Sequence, residues 1–161
     1  MTLILEDGSG RADANCYADT AFADGYHTPR GRADWTAATV AAREAALIQA
    51  SDALDATYSF RGHRLTAAQA LAWPRCCAED NSGRLITGVP EAVRRACAEL
   101  AWRALGGELL PDEARGGQVV SETVGPISTT YAGGAPAGTV RRLVDGLLRE
   151  LVRGGLDVVR A

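Results

Sequence analysis

The sequence predicts a mainly α-helical domain, a small bundle of about five helices with one protruding β-hairpin. Three observations predict it. Apolar residues recur at helical spacing in three segments, near 40–58, 89–105 and 139–155. Glycine and proline cluster between those segments and punctuate them. Two β-branched runs, Gln118 to Val124 and Ile127 to Tyr131, flank Gly125-Pro126 as the arms of a hairpin do. The 161 residues fit a single domain. It divides into an acidic N-terminal segment with a short helix (1–35), a helical core (36–107), the hairpin (117–132) and a C-terminal helix (139–155).

Each element has a local reason. Asp19 is placed to cap a short helix carrying Phe22 and Tyr26 one turn apart, ended by Pro29 and Gly31. Thr36 or Thr39 caps a longer helix of about five turns, whose stripe is Val40, Leu47, Ile48, Ser51, Leu54 and Tyr58. Gly62 breaks that pattern. Thr66 and Gln69 then stand at capping-box spacing, which predicts a short third helix stopped before Pro74. Asn81-Ser82-Gly83 is a turn. Val89-Pro90-Glu91 opens a fourth helix with Val93, Cys97, Leu100, Ala104 and Leu105 on one face, Trp102 off its centre, and Gly106-Gly107 at its end. In the hairpin, Val120, Glu122 and Val124 alternate with Val119, Ser121 and Thr123, so one face is more polar. A glycine- and proline-rich linker follows. Thr139 is placed to cap the last helix, whose stripe of Val140, Leu143, Val144, Leu147, Leu148 and Leu151 is the strongest in the chain.

Composition excludes some chemistry. The net charge is −3, which argues against general nucleic-acid binding. All 17 basic residues are arginine, so no P-loop lysine, Schiff-base lysine or lysine base exists. Four cysteines, Cys16, Cys76, Cys77 and Cys97, form no C-x-x-C pair, and with His27 and His63 they show no zinc-ligand spacing. They read as the free thiols of a reduced, cytosolic protein, with Cys97 in the core and Cys16 packed locally. Met1 to Leu5 is far too short for a signal peptide or a membrane span. A thiol pair of Cys76 or Cys77 with His63, its pKa lowered by Arg75, would lack the orienting third group that nucleophilic catalysis needs. The expectation is no enzyme, no cofactor and no metal.

The stretch from Tyr58 to Arg75 is the best candidate for a working surface. It carries Tyr58, Phe60, Arg61, His63, Arg64, Trp73 and Arg75, and no acid. Aromatics interleaved with arginine suit base stacking with phosphate contacts, and they equally suit a protein interface. They also suit the edge of a core, with the rings buried and the arginines solvated.

Several segments resemble a family of tailed-phage neck proteins, the head–tail connectors or adaptors, whose members are often labelled DnaT-like single-stranded-DNA-binding proteins. The resemblance covers nearly the whole chain. It runs through Glu6-Asp7-Gly8-Ser9-Gly10 with Ala14-Asn15-Cys16-Tyr17, and through Glu44 to Asp52. Tyr58-Ser59-Phe60-Arg61-Gly62 with Gln69-Ala70-Leu71-Ala72-Trp73-Pro74-Arg75 is its most specific part. Val89-Pro90, Glu122 to Ile127 and the leucine-rich last helix complete the order. The paired Cys76-Cys77 is a departure from it.

The resemblance implies a structural subunit in the virion neck, made in the host cytoplasm. It implies a homo-oligomeric ring, usually of twelve copies (a dodecamer), between the portal protein and a downstream neck or tail-completion protein. Genomic double-stranded DNA would pass through the lumen without sequence-specific binding, and no membrane is involved. No catalytic residue is implied. The candidate interface residues are then Arg61, His63, Arg64, Trp73 and Arg75, with Val119, Val124 and Ile127 of the hairpin and Arg141, Leu147 and Leu151 of the last helix. The acidic N-terminal segment and the basic Tyr58–Arg75 stretch are expected to mate head to tail around the ring. Single-stranded-DNA binding in replication is the alternative.

Overall fold

A computed structural model of the chain describes residues 2–107, 109 and 141–153, and the backbone of 120–124 and 127–131. The elements are α1 (Thr20–His27), a 3-10 turn (Thr28–Arg30), α2 (Ala33–Ala37), α3 (Val40–Thr57), β1 (His63–Arg64), β2 (Arg75–Cys76), α4 (Glu91–Ala104), β3 (Val120–Val124), β4 (Ile127–Tyr131) and α5 (Arg142–Leu148). The predicted class holds: mainly helical, with five α-helices among the described residues and the expected antiparallel hairpin.

Side-chain oxygens start two of the helices at the expected caps. Asp19 accepts from Phe22 N–H at 2.7 Å, and Thr39 accepts from Ala42 N–H at 3.2 Å. Of the two threonines considered for α3, Thr36 instead lies inside the short helix α2, which periodicity did not reveal.

The core forms where α3 and α4 pack together. Ala46, Leu47, Ala50, Ala53 and Leu54 of α3 meet Val93, Ala96, Cys97, Leu100 and Ala101 of α4, all buried. The many alanines let the two backbones approach closely, and Trp35, Trp73, Tyr17 and Leu148 supply the larger buried volumes around them. Cys97 is core, as expected. Cys16 does more than pack locally: Ser51 Oγ lies 3.6 Å from its sulfur and 3.4 Å from that of Cys97, so three chain segments meet at one hydroxyl. Val40 leaves the stripe predicted for α3, being 56% exposed at the first turn.

The expected third helix does not form. Thr66 and Gln69 do make the reciprocal bonds of a capping box, Gln69 N–H to Thr66 Oγ1 at 3.1 Å and Thr66 N–H to Gln69 Oε1 at 2.9 Å. The following residues nevertheless stay out of helix, because tertiary partners claim their backbone groups. Ala72 N–H donates to Asp55 at 2.7 Å, Trp73 N–H donates to the Tyr17 hydroxyl at 3.1 Å, and buried Gln69 donates to the carbonyls of Leu71 and Pro74. The Trp73-Pro74 peptide is cis.

The last helix is shorter than predicted, Arg142–Leu148 instead of 139–155, with Arg141 in the capping position. Past it the chain turns back and pairs with residues 59–61: Arg61 N–H donates to Leu151 O, and Arg153 N–H to Ser59 O, both at 2.8 Å. Val152 N–H still donates to Leu148 O at 3.1 Å, whereas Arg153 N–H has left helical pairing for Ser59. Thr139, the expected cap, lies outside the described residues.

In the hairpin, Val120 pairs with Tyr131, Ser121 with Thr130, Thr123 with Ser128 and Val124 with Ile127. Gly125-Pro126 and Val119 lie outside the described residues. Among those residues, β3 and β4 pair only with each other, so each strand keeps an open edge. No described helix is long and apolar enough to cross a membrane.

Candidate functional site

The Tyr58–Arg75 stretch turns out to be mostly the edge of a core. Phe60 and Trp73 are buried and meet edge to face, with centroids 5.7 Å apart. Tyr58 donates to Asp145 at 2.6 Å and so ties the end of α3 to α5. Burial, reinforced by that carboxylate, holds its pKa above the ordinary tyrosine value. Arg75 spends its guanidinium on the main chain, donating to the carbonyls of Arg61 at 2.5 Å, Gly62 at 2.8 Å and Ala72 at 3.0 Å. Arg61 Nε donates to Val152 O at 3.0 Å, and Arg64 reaches Gln69 O at 3.3 Å. These arginines satisfy carbonyls that a loop cannot pair in a ladder. His63 is exposed, opposite Cys76 in the short β1–β2 pair.

The other candidates are scattered. Leu151 is buried, Leu147 is half-buried against the core, and Arg141 donates to Leu109 O. Val124 and Ile127 face each other in register at the turn end of the hairpin. The acidic N-terminal segment and the basic stretch do meet, but inside one chain: Thr66 Oγ1 donates to Gly10 O at 3.2 Å, and Ala70 N–H donates to Arg11 O at 3.0 Å. Glu6 is buried, and its carboxylate accepts from the N–H groups of Gly8, Gly10 and Arg11, closing its own loop.

Cys77 is exposed, and its neighbour Cys76 raises its thiol pKa, the opposite of an activated nucleophile. Cys16 and Cys97 are fully buried. Among the described residues no group of three or more His, Cys, Asp or Glu side chains is arranged to hold a metal ion.

The residues that do assemble lie on a different face, where α1 and the turn after it cross α4. Three arginines stack there on three aromatic rings. Arg30 lies over Tyr26 and Arg32 over Trp102, each 3.5 Å from the ring centroid, and Arg94 lies over Phe22 at 4.1 Å. Beneath them sits Glu99, whose side chain is only 1% exposed. It accepts from the Tyr26 hydroxyl at 3.1 Å and lies 3.6 Å from Arg32 and 3.5 Å from Arg103. Burial, with the Glu99 charge beside it, raises the Tyr26 pKa, so this phenol stays a donor. Arg95 pairs with Glu91 at 2.5 Å along the same helix.

Three arginines thus pair with two glutamates, Arg32 and Arg103 with buried Glu99 and Arg95 with exposed Glu91, in a chain whose overall charge is negative. An open groove of about 320 Å³ runs between Phe22, Gly25, Tyr26 and Arg30 on one side and Glu91 and Arg95 on the other. The signal for this face was in the sequence. Glu91, Arg94, Arg95, Glu99, Trp102 and Arg103 recur every three to four residues, a second stripe beside the apolar one on α4. A reading that sought only the apolar stripe left Trp102 as off-centre.

The family described as "Putative DnaT-like ssDNA binding protein" matches residues 1–161. The chain belongs to this family. Comparisons with curated proteins and with solved structures give no match. The match spans both the arginine–aromatic face and the Trp73-Pro74-Arg75 segment.

Proposed function

We propose that the chain binds single-stranded DNA, without catalysing a reaction on it, through the face formed by α1, the turn after it and α4. One observation carries this reading: the guanidinium carbons of Arg30, Arg32 and Arg94 lie 3.5, 3.5 and 4.1 Å from the centroids of aromatic rings. A guanidinium held against a ring in this way can offer its outer face to a base and its edge N–H groups to phosphates, whatever the sequence. The family's description supports the same reading. The net negative charge counts against tight binding, and it is offset locally, since screening over about 8–10 Å isolates the face from distant carboxylates.

Affinity is then modest and falls with salt. If three to four of the arginines touch phosphates, log K falls with log salt at a slope of roughly −2 to −3. The test is fluorescence anisotropy of a labelled 20-nucleotide single strand across 50–300 mM salt. No binding at the lowest salt, or binding without a slope, rejects the reading.

A second reading is a ring-forming adaptor subunit of a phage neck, mated to a portal and a downstream neck protein. One observation favours it: the β3–β4 hairpin keeps both edges open among the described residues, and an open edge can accept a strand from a neighbouring copy. Light scattering and electron microscopy of the purified chain, alone and with a portal ring, test this. A monomer that ignores the portal ends it, and the doubly reversed Arg61→Glu, Arg64→Glu variant tests whether that stretch takes part.

A further inference from the structure

Helix α1 contains a glycine that its own fold does not require. Gly25 lies inside Thr20–His27, where glycine is unfavourable relative to alanine. A Cβ built there meets nothing within 4 Å. It would enter the groove that Gly25 lines with Phe22, Tyr26, Arg30, Glu91 and Arg95. The missing side chain therefore leaves this part of the groove lining open to a close neighbour, at the expense of the helix.

The chemistry of the groove walls narrows what that neighbour is. Two aromatic side chains, Phe22 and Tyr26, provide apolar wall. Arg30 and Arg95 also line it; Arg30 Nη1 donates to Tyr26 O and Arg95 Nη2 pairs with Glu91, so each guanidinium keeps further N–H groups for an anion. The Glu91 side chain is 64% exposed and engages Arg95 through one oxygen, Oε1. A carboxylate in such a position accepts hydrogen bonds and repels phosphate, so it suits the amino edge of a base.

We propose that the groove seats one nucleobase bearing an exocyclic amino group, with Glu91 accepting from that amine and Arg30 and Arg95 on the flanking phosphates. Cytosine is the base whose exposed amine a glutamate reads most directly. This rests on the single-strand reading above and adds a base preference to it.

The experiment compares labelled oligo(dC), oligo(dA) and oligo(dT) on the intact chain, on Gly25→Leu and on Glu91→Ala. The intact chain is expected to prefer oligo(dC) over oligo(dT) about tenfold, the scale of one well-placed base contact. Gly25→Leu fills the groove and removes the preference while leaving the salt slope in place. Its far-UV circular dichroism and melting temperature stay at or above those of the parent, because the new side chain meets open space. Glu91→Ala separates charge from recognition: overall affinity rises as a carboxylate leaves the face, and the dC-to-dT ratio falls to one. Equal affinity for the three strands, or an unchanged preference in Gly25→Leu, overturns the groove proposal and leaves single-strand binding standing. Absence of binding to any strand overturns both. If Gly25→Leu instead changes the oligomeric mass, the groove is a contact between copies and the proposal fails.

Discussion

Arg32 stands between two partners, its guanidinium carbon 3.5 Å above the Trp102 ring and its Nη2 3.6 Å from the Glu99 carboxylate. The carboxylate helps to hold the guanidinium over the indole. Arg32→Ala therefore uncovers Trp102 and removes one cation from the face. Single-strand affinity is expected to fall about five- to twentyfold, with a salt slope shallower by close to one. Arg32→Lys should behave much more like alanine than like arginine, since an ammonium cannot lie flat on the ring. Trp102 is half-buried whereas Trp35 and Trp73 are buried, so quenching of its fluorescence on titration with DNA is a direct readout. Arg32→Ala with unchanged affinity and slope would remove this residue from the interface.

Glu99 is expected to matter for stability before it matters for binding. Its carboxylate is buried and leans on Arg32, Arg103 and the Tyr26 hydroxyl. Removing a buried charge whose partners are themselves part-exposed costs less than breaking a fully buried pair. Glu99→Ala should lose about 2 kcal/mol in urea unfolding, and Tyr26→Phe about 1 kcal/mol. A Glu99→Gln variant keeps the tyrosine bond and falls between the two. Should Glu99→Ala unfold at the parent's urea midpoint, the carboxylate does not anchor the face.

The helices that were legible in the sequence are those whose local signals agree with their tertiary surroundings. Asp19 and Thr39 cap as their positions suggest, and the Val93–Cys97–Leu100 stripe is buried as its spacing suggests. The failures share one cause. At Thr66–Gln69 a sound capping box opens no helix, because Asp55, Tyr17 and Arg75 bind the backbone groups a helix would use. At Leu151 a sound apolar stripe leaves the helix to pair with residues 59–61. Long-range partners are invisible to a window of neighbouring residues. The candidate site was missed for a related reason. Tyr58–Arg75 has the composition of a binding surface, yet composition does not say which way a ring points. The arginine–aromatic face is split between residues 22–32 and 91–103, and only the crossing of α1 with α4 brings the two sets together.

Gly62 is a position where backbone geometry forbids any other residue. Its φ is +72°, and a Cβ there would lie 2.4 Å from Cys76 O and 2.8 Å from Ala78 N. Both are main-chain atoms, which cannot swing aside. Gly62→Ala is expected to cost at least about 2 kcal/mol, from the left-handed conformation and the clash together. Arg75→Met, which keeps the stem and deletes the three carbonyl contacts, should cost about 2–3 kcal/mol. Both losses should appear in chemical denaturation, and both should leave the DNA salt slope of the remaining folded protein unchanged. A changed slope in Arg75→Met would return the Tyr58–Arg75 stretch to consideration as a binding surface.

His27 should make stability fall on mild acidification. The ring is fully buried, 4.8 Å from the Trp35 ring and 5.2 Å from that of Tyr26. Its Nε2 lies 3.0 Å from Ala98 O, a pure acceptor, so the proton sits on Nε2 and donates there. Nδ1 has no partner. A second proton would place a buried charge with one unsatisfied N–H. Burial accordingly lowers the His27 pKa below 6.5; Arg32 and Arg30 act in the same direction, while the bond to Ala98 and the Glu99 charge oppose it. A group whose pKa is depressed in the folded state contributes stability above its unfolded value and loses it as pH falls through the folded one. The expected loss therefore begins below about pH 6.5. Asp52 and Asp55 work the other way, since burial raises their pKa values and their neutral forms gain ground in acid. The clean measurement is a difference: urea midpoints at pH 7.5 and 5.5 for the parent and for His27→Phe. The parent should lose stability over that interval relative to the variant, whatever the variant's own stability at pH 7.5. Parallel pH profiles for the two proteins would mean that His27 is not the group being protonated.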